Sequence, residues 1–479
     1  MTPPGPPQTL AGRADAWSSR PLALPFACAP PDRRASLARD CARHAHQPPG
    51  AQRPLKRSLP PGLCQTLPDE GSEVVFWRYD FLSQVQDVGR QVISGSDVDE
   101  VLAPDAKQAI NAARTFRDAH ITPFADGIEL RRETAISTLR LASQYGLLGL
   151  QVATTHGGGG LSAVATARVY EEIAEGCLPH AFSLEVHNNI ASLVSRHATR
   201  AQQDRWLPRL LSGDAVAAFC LTEPSVGSDA AAIQCTADHS GNDWVLNGEK
   251  AWVTNAAGAD LFAVWAQTDV AAGWRGIAAF LVEREAKGLT VTDPYQLMGG
   301  HAMGTAGILL RDCRVRADGL ISPPGEAFKV AMQGITSARI FVSAQCCGIL
   351  KAGLERAISY ASERKAFGRP VGSFQGLQWE LVNVATQREA ARLLAYRAAA
   401  AADKNLSATV EAAQAKKFAT TAAVSGLVTC MQVMGARGFL IDSTLWRHLA
   451  AAKMAEYLDG TSEIQNVVVA RSLLGGALD

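Results

Sequence analysis

The chain has 479 residues, of which 47% are hydrophobic, and its 46 basic and 46 acidic side chains give a formal net charge of zero. That length accommodates two to four domains or one large multilayer unit. The neutral balance provides no basic footprint for nucleic acid, and no apolar run reaches the ~20 residues of a membrane span. We therefore expect a globular protein with neither a nucleic-acid nor a membrane partner.

The ten cysteines are scattered along the chain, and none forms a CxxC pair. Adjacent Cys346 and Cys347 lack the spacing of metal ligands. We interpret the cysteines as reduced core residues of a protein in a cytoplasmic compartment, and we expect no metal site.

Residues 1–103 differ from the rest. The first 60 residues hold 12 of the 23 prolines and nine Lys/Arg against three Asp. Such a segment buries little apolar surface, so residues 1–103 are predicted to be a disordered extension. A mitochondrial presequence, placing the protein in the matrix, is a second interpretation, although the aspartates and prolines oppose an amphipathic helix. A start codon assigned too far upstream is a third.

Residues 104–217 are predicted to form a helical domain. Apolar residues recur there at three- and four-residue spacing, which is the period of an amphipathic helix. The segments with this pattern are Ala106–Phe116, Glu133–Tyr145, Val164–Glu175, His187–His197 and Ala201–Leu211.

Residues 218–318 are predicted to form a β domain, because the apolar period changes. Trp244–Val253 is predicted to be a hairpin that turns at Asn247-Gly248, a dipeptide that favours positive φ. Further strands are predicted over Leu261–Gln267, Ile277–Val282 and Gly307–Val315.

Residues 319–479 return to a helical pattern. One predicted helix face carries Ile340, Ala344, Cys347, Leu354, Ile358 and Ala361. Strands confined to the middle of a helical chain predict an α+β protein with a helical domain, a small β domain and a helix bundle.

Four segments stand out by composition. Tyr457–Gln465 places an acid before Gly-Thr at the end of an Ala-rich helical run. Phe219–Asp229 is a strand that runs into a Pro/Gly/Ser turn, and Trp252-Val253-Thr254 follows it. Glu363–Gln375 contains Arg364, and Gln432–Ala436 contains Gly435. Taken singly, these segments are also typical of a helix end, a surface loop or a solvated charge cluster.

Together and in this order, the segments resemble those of the FAD-dependent acyl-CoA dehydrogenases, and the resemblance covers roughly residues 105–475. It implies an N-terminal helical domain, a middle β-barrel domain and a C-terminal four-helix bundle. It also implies α,β-dehydrogenation of an acyl-CoA or acyl-carrier thioester, with hydride transfer to flavin N5. Asp459 is implied to be the base that removes the α-proton, where the family normally has glutamate.

The resemblance further implies which residues contact the ligands. The implied FAD contacts are Phe219, Leu221, Thr222, Gly227, Ser228, Trp252, Val253, Thr254, Arg364, Phe367, Gln375, Gln432, Gly435, Thr461 and Glu463. The implied substrate contacts are Ser228, Thr336, Arg339 and Gly460. Arg364 and its neighbours would reach the FAD of an adjacent subunit, which implies a homodimer or homotetramer, and an electron-transfer flavoprotein is the implied electron acceptor.

Departures from the family pattern leave alternatives open. Thr336 stands where many relatives carry an aspartate, and Ala436 stands where a second glycine is usual. An aspartate base at position 459 also fits the nitroalkane oxidases, which are relatives that reoxidise with oxygen. A non-catalytic, flavin-binding regulatory protein is a further alternative. Acyl chain length and branching stay open, as does the choice between CoA and a carrier protein.

Overall fold

The structure is a computed structural model that describes Asp99 and residues 102–475. Residues 1–98, 100–101 and 476–479 lie outside the described residues. The prediction that residues 1–103 form a disordered extension therefore stays a prediction.

The first described region is helical. Its helices are α1 (Pro104–Phe116), α2 (Ala125–Arg131), α3 (Ile136–Leu141), α4 (Ala163–Gly176), α5 (Leu178–His197) and α6 (Arg200–Ser212). Side-chain caps explain two of the starts: Ser162 accepts from the third residue of α4, and Thr199 forms a capping box with Gln202 in α6. The helix predicted over Glu133–Tyr145 is shorter than expected, because α3 begins at Ile136 and gives way to a 3₁₀ turn over Ala142–Tyr145.

The middle region is one eight-stranded sheet. Its strands are β1 (Ala217–Cys220), β2 (Thr236–Ser240), β3 (Asp243–Val253), β4 (Leu261–Gln267), β5 (Ile277–Glu283), β6 (Leu289–Val291), β7 (Ala306–Val315) and β8 (Leu320–Ser322). The order is β6-β7-β3-β2-β4-β5-β8, and β1 lies parallel to β4. Every residue of β4 is buried, so this strand forms the centre of the middle region.

The hairpin predicted within Trp244–Val253 is wrong, because β3 continues straight through that segment. The chain instead turns between β2 and β3 at Gly241 and Asn242, and Gly241 has φ +66°. Gly248 serves a different purpose. The pairing of β3 with β7 shifts there, and a Cβ on Gly248 would lie 2.7 Å from neighbouring backbone. Glycine therefore marks a close approach within an irregular strand.

The last region is a helix bundle. It consists of α7 (Ala327–Glu363), α8 (Gln375–Asp403), α9 (Thr409–Met434), α10 (Leu445–Ala455) and α11 (Ser462–Leu474). Two short strands, β9 (Lys365–Ala366) and β10 (Arg369–Pro370), form a hairpin between α7 and α8. The helical, sheet and helical order confirms the predicted α+β fold class.

Helix α9 is the central helix of this bundle and packs against the other four. Six of its 13 buried residues are alanine and one is glycine, which lets neighbouring helices approach closely. With the turn that follows it, α9 is long and apolar enough to cross a membrane by composition, but half of that apolar stretch is buried inside the protein. A long, apolar and half-buried helix of this kind is also typical of the core of a helix bundle.

A buried ionic cluster joins the first helical region to the bundle. Glu171 of α4 accepts hydrogen bonds from Arg388 Nη2 at 2.8 Å, from Arg392 Nε at 2.9 Å and from the Tyr396 hydroxyl, all on α8. Burial alone would raise the pKa of Glu171, but the surrounding arginines, Arg392 first and then Arg168, outweigh it and lower the pKa to about 2. The carboxylate is therefore charged at neutral pH.

Replacing Glu171 with glutamine should be strongly destabilising, because it leaves Arg388 and Arg392 buried beside an uncharged group. We expect a loss of about 3–5 kcal/mol at pH 7, measured as the shift of the urea midpoint. Since the folded pKa of Glu171 lies below its ordinary value of 4.5, the loss should shrink as pH falls from 5 toward 2.

The control is Glu389→Gln, which removes a carboxylate that contacts Arg392 at 3.2 Å but is 40% exposed. We expect that change to cost less than about 1 kcal/mol. Equal losses in the two variants would contradict a special role for the buried Glu171.

Candidate active site

A strained turn between α10 and α11 is held by three helices. Asp459 and Gly460 both have left-handed backbone, with φ +51° and +91°. Arg339 of α7 donates to the Asp459 carbonyl oxygen at 2.9 Å, while Lys416 of α9 and Gln465 of α11 each donate to the Gly460 carbonyl oxygen at 2.8 Å. The left-handed conformation is unfavourable for Asp459, so these bonds stabilise a backbone that would otherwise relax.

The carboxyl group of Asp459 is left free by this arrangement. Its Oδ2 atom is buried and has no hydrogen-bond partner in the described part of the chain. Burial raises the pKa of Asp459 to about 6, although Lys416 and Arg339 act in the opposite direction. Such a carboxylate is ionised at neutral pH and can accept a proton more readily than an exposed one.

Lys416 was not singled out by the sequence analysis. It is completely buried, and burial lowers its pKa to about 8. A signal was present: Lys416 shares the buried face of α9 with Ala412, Ala419 and Ala423, where a lysine needs a partner to be tolerated. Carbonyl oxygens of the Asp459–Gly460 turn region supply that partner.

A small cavity of about 70 Å³, partly open to solvent, lies between α5, the first half of α7 and the sheet. Phe219 and Trp265 from the sheet line it, with ring centroids 4.4 Å apart, and Phe341 from α7 lines it as well. Glu185 of α5 also lines it and is 2% exposed. Burial raises the pKa of Glu185 well above its ordinary value, and the charge of Asp459 raises it further. The cavity is thus electrostatically linked to Asp459.

A buried ion pair fixes the loop that follows β1. Lys250 Nζ lies 2.7 Å from Glu223 Oε1 and donates to the Leu221 carbonyl oxygen at 3.0 Å. The Glu223 carboxylate also accepts from the backbone N–H groups of Gln234 and Cys235, at 2.7 and 2.9 Å. Sequence analysis passed over both charged residues, although a lysine among the inward-facing residues of β3 was the available signal.

The loop residues predicted to contact a cofactor lie on an open edge. Leu221 is buried, and the Thr222 carbonyl oxygen accepts from the Ala251 N–H at 2.9 Å, which ties the loop to β3. Gly227 and Ser228 are exposed, and no atom lies within 4 Å of the place where a Cβ on Gly227 would stand. The edge therefore has room for a bound group.

Trp252 presents a flat, solvent-facing ring beside this edge. It is 61% exposed and has φ +59°, while Val253 and Thr254 after it are buried. The ring lies against Tyr295, with centroids 4.7 Å apart. Bulky residues rarely adopt the left-handed conformation, and those that do are found most often at functional sites.

The remaining predicted residues of this region lie on α11, α7 and β1. Thr461 is the N-cap residue of α11, and Glu463 is exposed in the first turn of that helix. The Thr336 hydroxyl donates to the Met332 carbonyl oxygen of its own helix at 2.9 Å. Phe219, predicted at the cofactor, directs its ring into the cavity against Trp265.

A second group of predicted residues gathers at the opposite end of the bundle, at the end of α7, the start of α8 and the end of α9. Sixteen residues of α9 separate Lys416 from Gln432, which corresponds to about 24 Å. Phe367 there is 94% exposed with φ +52°. One chain therefore does not bring this group to Asp459; its members are Arg364, Phe367, Gln375, Gln432 and Gly435.

The described residues contain no group of three or more side chains that could hold a metal ion. Seven described cysteines are buried and form no disulfide, as expected for reduced core residues.

Comparison with known proteins places three family descriptions in succession on this chain. "Acyl-CoA dehydrogenase, N-terminal domain" matches residues 103–214, "middle domain" matches 218–313, and "C-terminal domain" matches 325–474. The mitochondrial short-chain specific acyl-CoA dehydrogenase of Bos taurus is 36% identical over 373 residues, which is 78% of this chain and 90% of that protein.

Solved structures agree with the family descriptions. Butyryl-CoA dehydrogenase from Megasphaera elsdenii has a TM-score of 0.76 and 30% identity, and the match covers 78% of this chain and 99% of that one. A glutaryl-CoA dehydrogenase from Mycobacterium smegmatis, in complex with FADH2, has a TM-score of 0.76 and 26% identity, covering 81% and 98%.

Replacing Glu223 with glutamine should loosen the loop after β1, because it leaves the Lys250 ammonium buried without its counter-charge. We expect a loss of about 3–5 kcal/mol in stability. Peptides covering residues 221–228 and 234–235 should also exchange amide hydrogens faster by mass spectrometry.

The matched control is the double variant Glu223→Gln/Lys250→Met, which removes both charges. It should recover much of the stability lost in the single variant. If the double variant is no more stable than the single one, the ion pair is not the constraint that fixes this loop.

Proposed function

The chain belongs to the acyl-CoA dehydrogenase family and is an FAD-dependent oxidoreductase, and we propose that it removes the α- and β-hydrogens of an acyl thioester with Asp459 as the base. The observation that carries this proposal is the buried, unpartnered Oδ2 atom of Asp459. A carboxyl group without a partner inside a protein is costly, and its use in proton transfer accounts for it.

The residues present on the β1 loop and after β3 fit a flavin ring. Trp252 offers an exposed flat wall, and Gly227 borders open space. A flavin site needs such an apolar wall and a few fixed polar groups that orient the ring and set its electronics. We propose that this edge holds the ring, with Leu221, Thr222, Ser228, Val253 and Thr254 beside it. Bound FAD supplies the acceptor for the β-hydride.

Asp459 is suited to taking the α-proton. A pKa of about 6 keeps the carboxylate ionised at neutral pH while leaving it a stronger base than an exposed aspartate. The Arg339 and Lys416 cations bind carbonyl oxygens and leave the carboxyl group free. The proton therefore has an available acceptor atom.

The thioester oxygen needs a hydrogen-bond donor as the α-proton leaves. The backbone N–H of Asp459 makes no hydrogen bond within residues 102–475, so it is available for that purpose. A donor that is already aimed at developing negative charge is worth about 3–4 kcal/mol in comparable sites. We propose that Asp459 contributes both the base and one of these donors.

We propose that the residues at the far end of the bundle serve a neighbouring subunit. The ~24 Å between Lys416 and Gln432 is too long for both ends of α9 to hold the same part of one cofactor. Arg364 offers a fork of donors that suits a diphosphate, and the ring of Phe367 lies exposed beside it. A homodimer or homotetramer would place this end at a neighbour's FAD.

An electron-transfer flavoprotein is the proposed electron acceptor, and either CoA or a carrier protein the proposed thioester carrier. The nitroalkane-oxidase alternative rests on one observation, which is that the base is an aspartate. Oxygen uptake with nitroethane, in the absence of flavin reduction by acyl thioesters, would favour that alternative.

Asp459→Asn should retain FAD and the fold but abolish flavin reduction, because an amide cannot accept the α-proton. The measurement is anaerobic bleaching of the flavin against short, branched, cyclic and long acyl-CoAs. Asp459→Glu should be slower than wild type, since its carboxylate advances by roughly 1.5 Å and a ~1 Å misplacement can cost ~100-fold. Full activity in Asp459→Asn would reject Asp459 as the base.

The rate of flavin reduction should fall below about pH 6, because protonated Asp459 cannot accept a proton. Lys416→Met should move this acid limb to higher pH, since the Lys416 charge lowers the pKa of Asp459. Stopped-flow measurement of flavin reduction across pH gives the acid limb of wild type and that of Lys416→Met.

Gln465→Met is the matched control, because Gln465 donates to the same Gly460 carbonyl oxygen without carrying a charge. It should slow reduction without moving the acid limb. An unchanged limb in Lys416→Met, or an equal shift in both variants, would contradict this electrostatic account.

A further inference from the structure

Glu185 is a buried carboxyl group that the proton-transfer step does not use. It lies on α5, lines the cavity between α5, α7 and the sheet, and is 2% exposed. Neither of its carboxyl oxygens makes a well-formed hydrogen bond within the described chain. Its unsatisfied atoms therefore border free space.

The polar groups around Glu185 are two neutral amides, and both make hydrogen bonds to other groups. The Asn188 amide accepts from the Gly149 N–H at 2.5 Å and donates to the Leu147 carbonyl oxygen and the Tyr170 hydroxyl. The Asn189 amide nitrogen donates one of its two hydrogens to the Gly334 carbonyl oxygen at 3.2 Å; its approach to Glu185 lowers the pKa of that carboxyl, which burial and Asp459 raise more strongly. Neutral neighbours of this kind do not balance an acid.

The one cation among the residues that line the cavity is Arg196, and burial lowers the pKa of neighbouring His197 from its ordinary 6.5, so His197 is uncharged at neutral pH. Arg196 and His197, at the end of α5, are both exposed. Burial raises the pKa of Glu185, and the negative charge of Asp459 raises it further. Lys416 and Arg339 act on the Asp459 carboxyl rather than on Glu185, so Glu185 is the acid that lines the cavity without a compensating cation.

A packing role does not account for Glu185. A leucine at this position would fill similar space beside Leu193 and Phe341 without leaving two polar atoms unpaired. Burying a polar group with no partner is unfavourable, and burying an ionised group without one is more so. A bound molecule that supplies the missing partner would remove that cost.

We propose that Glu185 binds a hydrogen-bond-donating substituent, a hydroxyl or an amine, on the acyl group of the substrate. The enzyme then prefers polar acyl thioesters to plain alkyl ones. This inference rests on the proposed function, since the cavity must receive the acyl chain whose α-carbon faces Asp459. Glu185 is a specificity residue and takes no part in moving the proton.

The two candidate substituents require different protonation states of Glu185. A hydroxyl group pairs with the neutral acid, which can both donate and accept. An amine enters as an ammonium ion and pairs with the carboxylate, and the acid then loses its proton to solvent. Glutamine at position 185 keeps hydrogen bonding but cannot ionise, so it separates the two cases.

The test measures binding, independently of turnover, with the FAD-loaded full-length protein. The probes are 3-thia-acyl-CoA analogues, in which sulfur replaces the β-carbon so that no hydride can leave. Analogues are compared in matched sets whose chain ends are methyl, hydroxymethyl or aminomethyl, by isothermal titration calorimetry. In wild type, one polar member should bind roughly tenfold or more tightly than its methyl partner.

Glu185→Leu should reverse that preference, and Glu185→Gln should retain it for a hydroxyl and lose it for an amine. Glu285→Leu makes the same chemical change in an exposed turn and should leave the preference unaltered. FAD content and melting temperature identify any variant that fails to fold, and in that event Glu185→Gln and the wild-type ratio decide.

Equal binding of methyl and polar analogues to wild type, or a preference unchanged in Glu185→Leu, overturns the inference about Glu185 alone. Failure of every acyl-CoA analogue to bind, together with failure of every acyl-CoA to bleach the flavin, defeats the proposed function as well.

Discussion

The candidate site depends on the hydrogen bonds that the backbone carbonyl oxygens of Asp459 and Gly460 accept. Arg339, Lys416 and Gln465 reach them from three different helices, so the relative positions of α7, α9 and α11 determine where the turn lies. Because the cations bind carbonyl groups, they lower the pKa of the nearby carboxyl without forming a direct ion pair with it. A direct pair would depress that pKa further and weaken the base.

Buried charges perform a similar positioning task elsewhere in the protein. Glu171 fixes α4 to α8, and Glu223 with Lys250 fixes the loop after β1. Such pairs add little net stability compared with apolar residues of the same shape, yet breaking one is costly. Each pair holds the elements that it joins in one relative position.

Much of the fold could be predicted from periodicity, because helices and strands with one buried face repeat their apolar residues regularly. The Asp459 segment and the loop after β1 could also be singled out, through the resemblance of their motifs to those of the family. The position of the hairpin could not be predicted, because Gly241-Asn242 and Asn247-Gly248 are two similar turn signals within eight residues. Only the pairing of β2, β3 and β7 determines which of them turns the chain.

The partners of the buried charged residues could not be predicted, for a different reason. Lys250 and Lys416 stand on apolar faces of their segments, which indicates burial, but the pattern does not identify the groups that they contact. Their burial results from contacts between elements far apart in the chain, such as α9 with the turn before α11. Likewise, the separation between Asp459 and the Gln432 end of the bundle depends on the length and direction of α9.

At position 459, the left-handed backbone favours other residue types than the proposed proton transfer requires. Asparagine and glycine adopt that conformation more easily, and neither leaves an unpaired carboxyl group in a buried site. Selection for thermal stability alone would therefore favour asparagine or glycine over aspartate at this position. Under the proposed function, the carboxyl group is needed for proton transfer, so a related protein that no longer used this chemistry could gain heat resistance by replacing the acid.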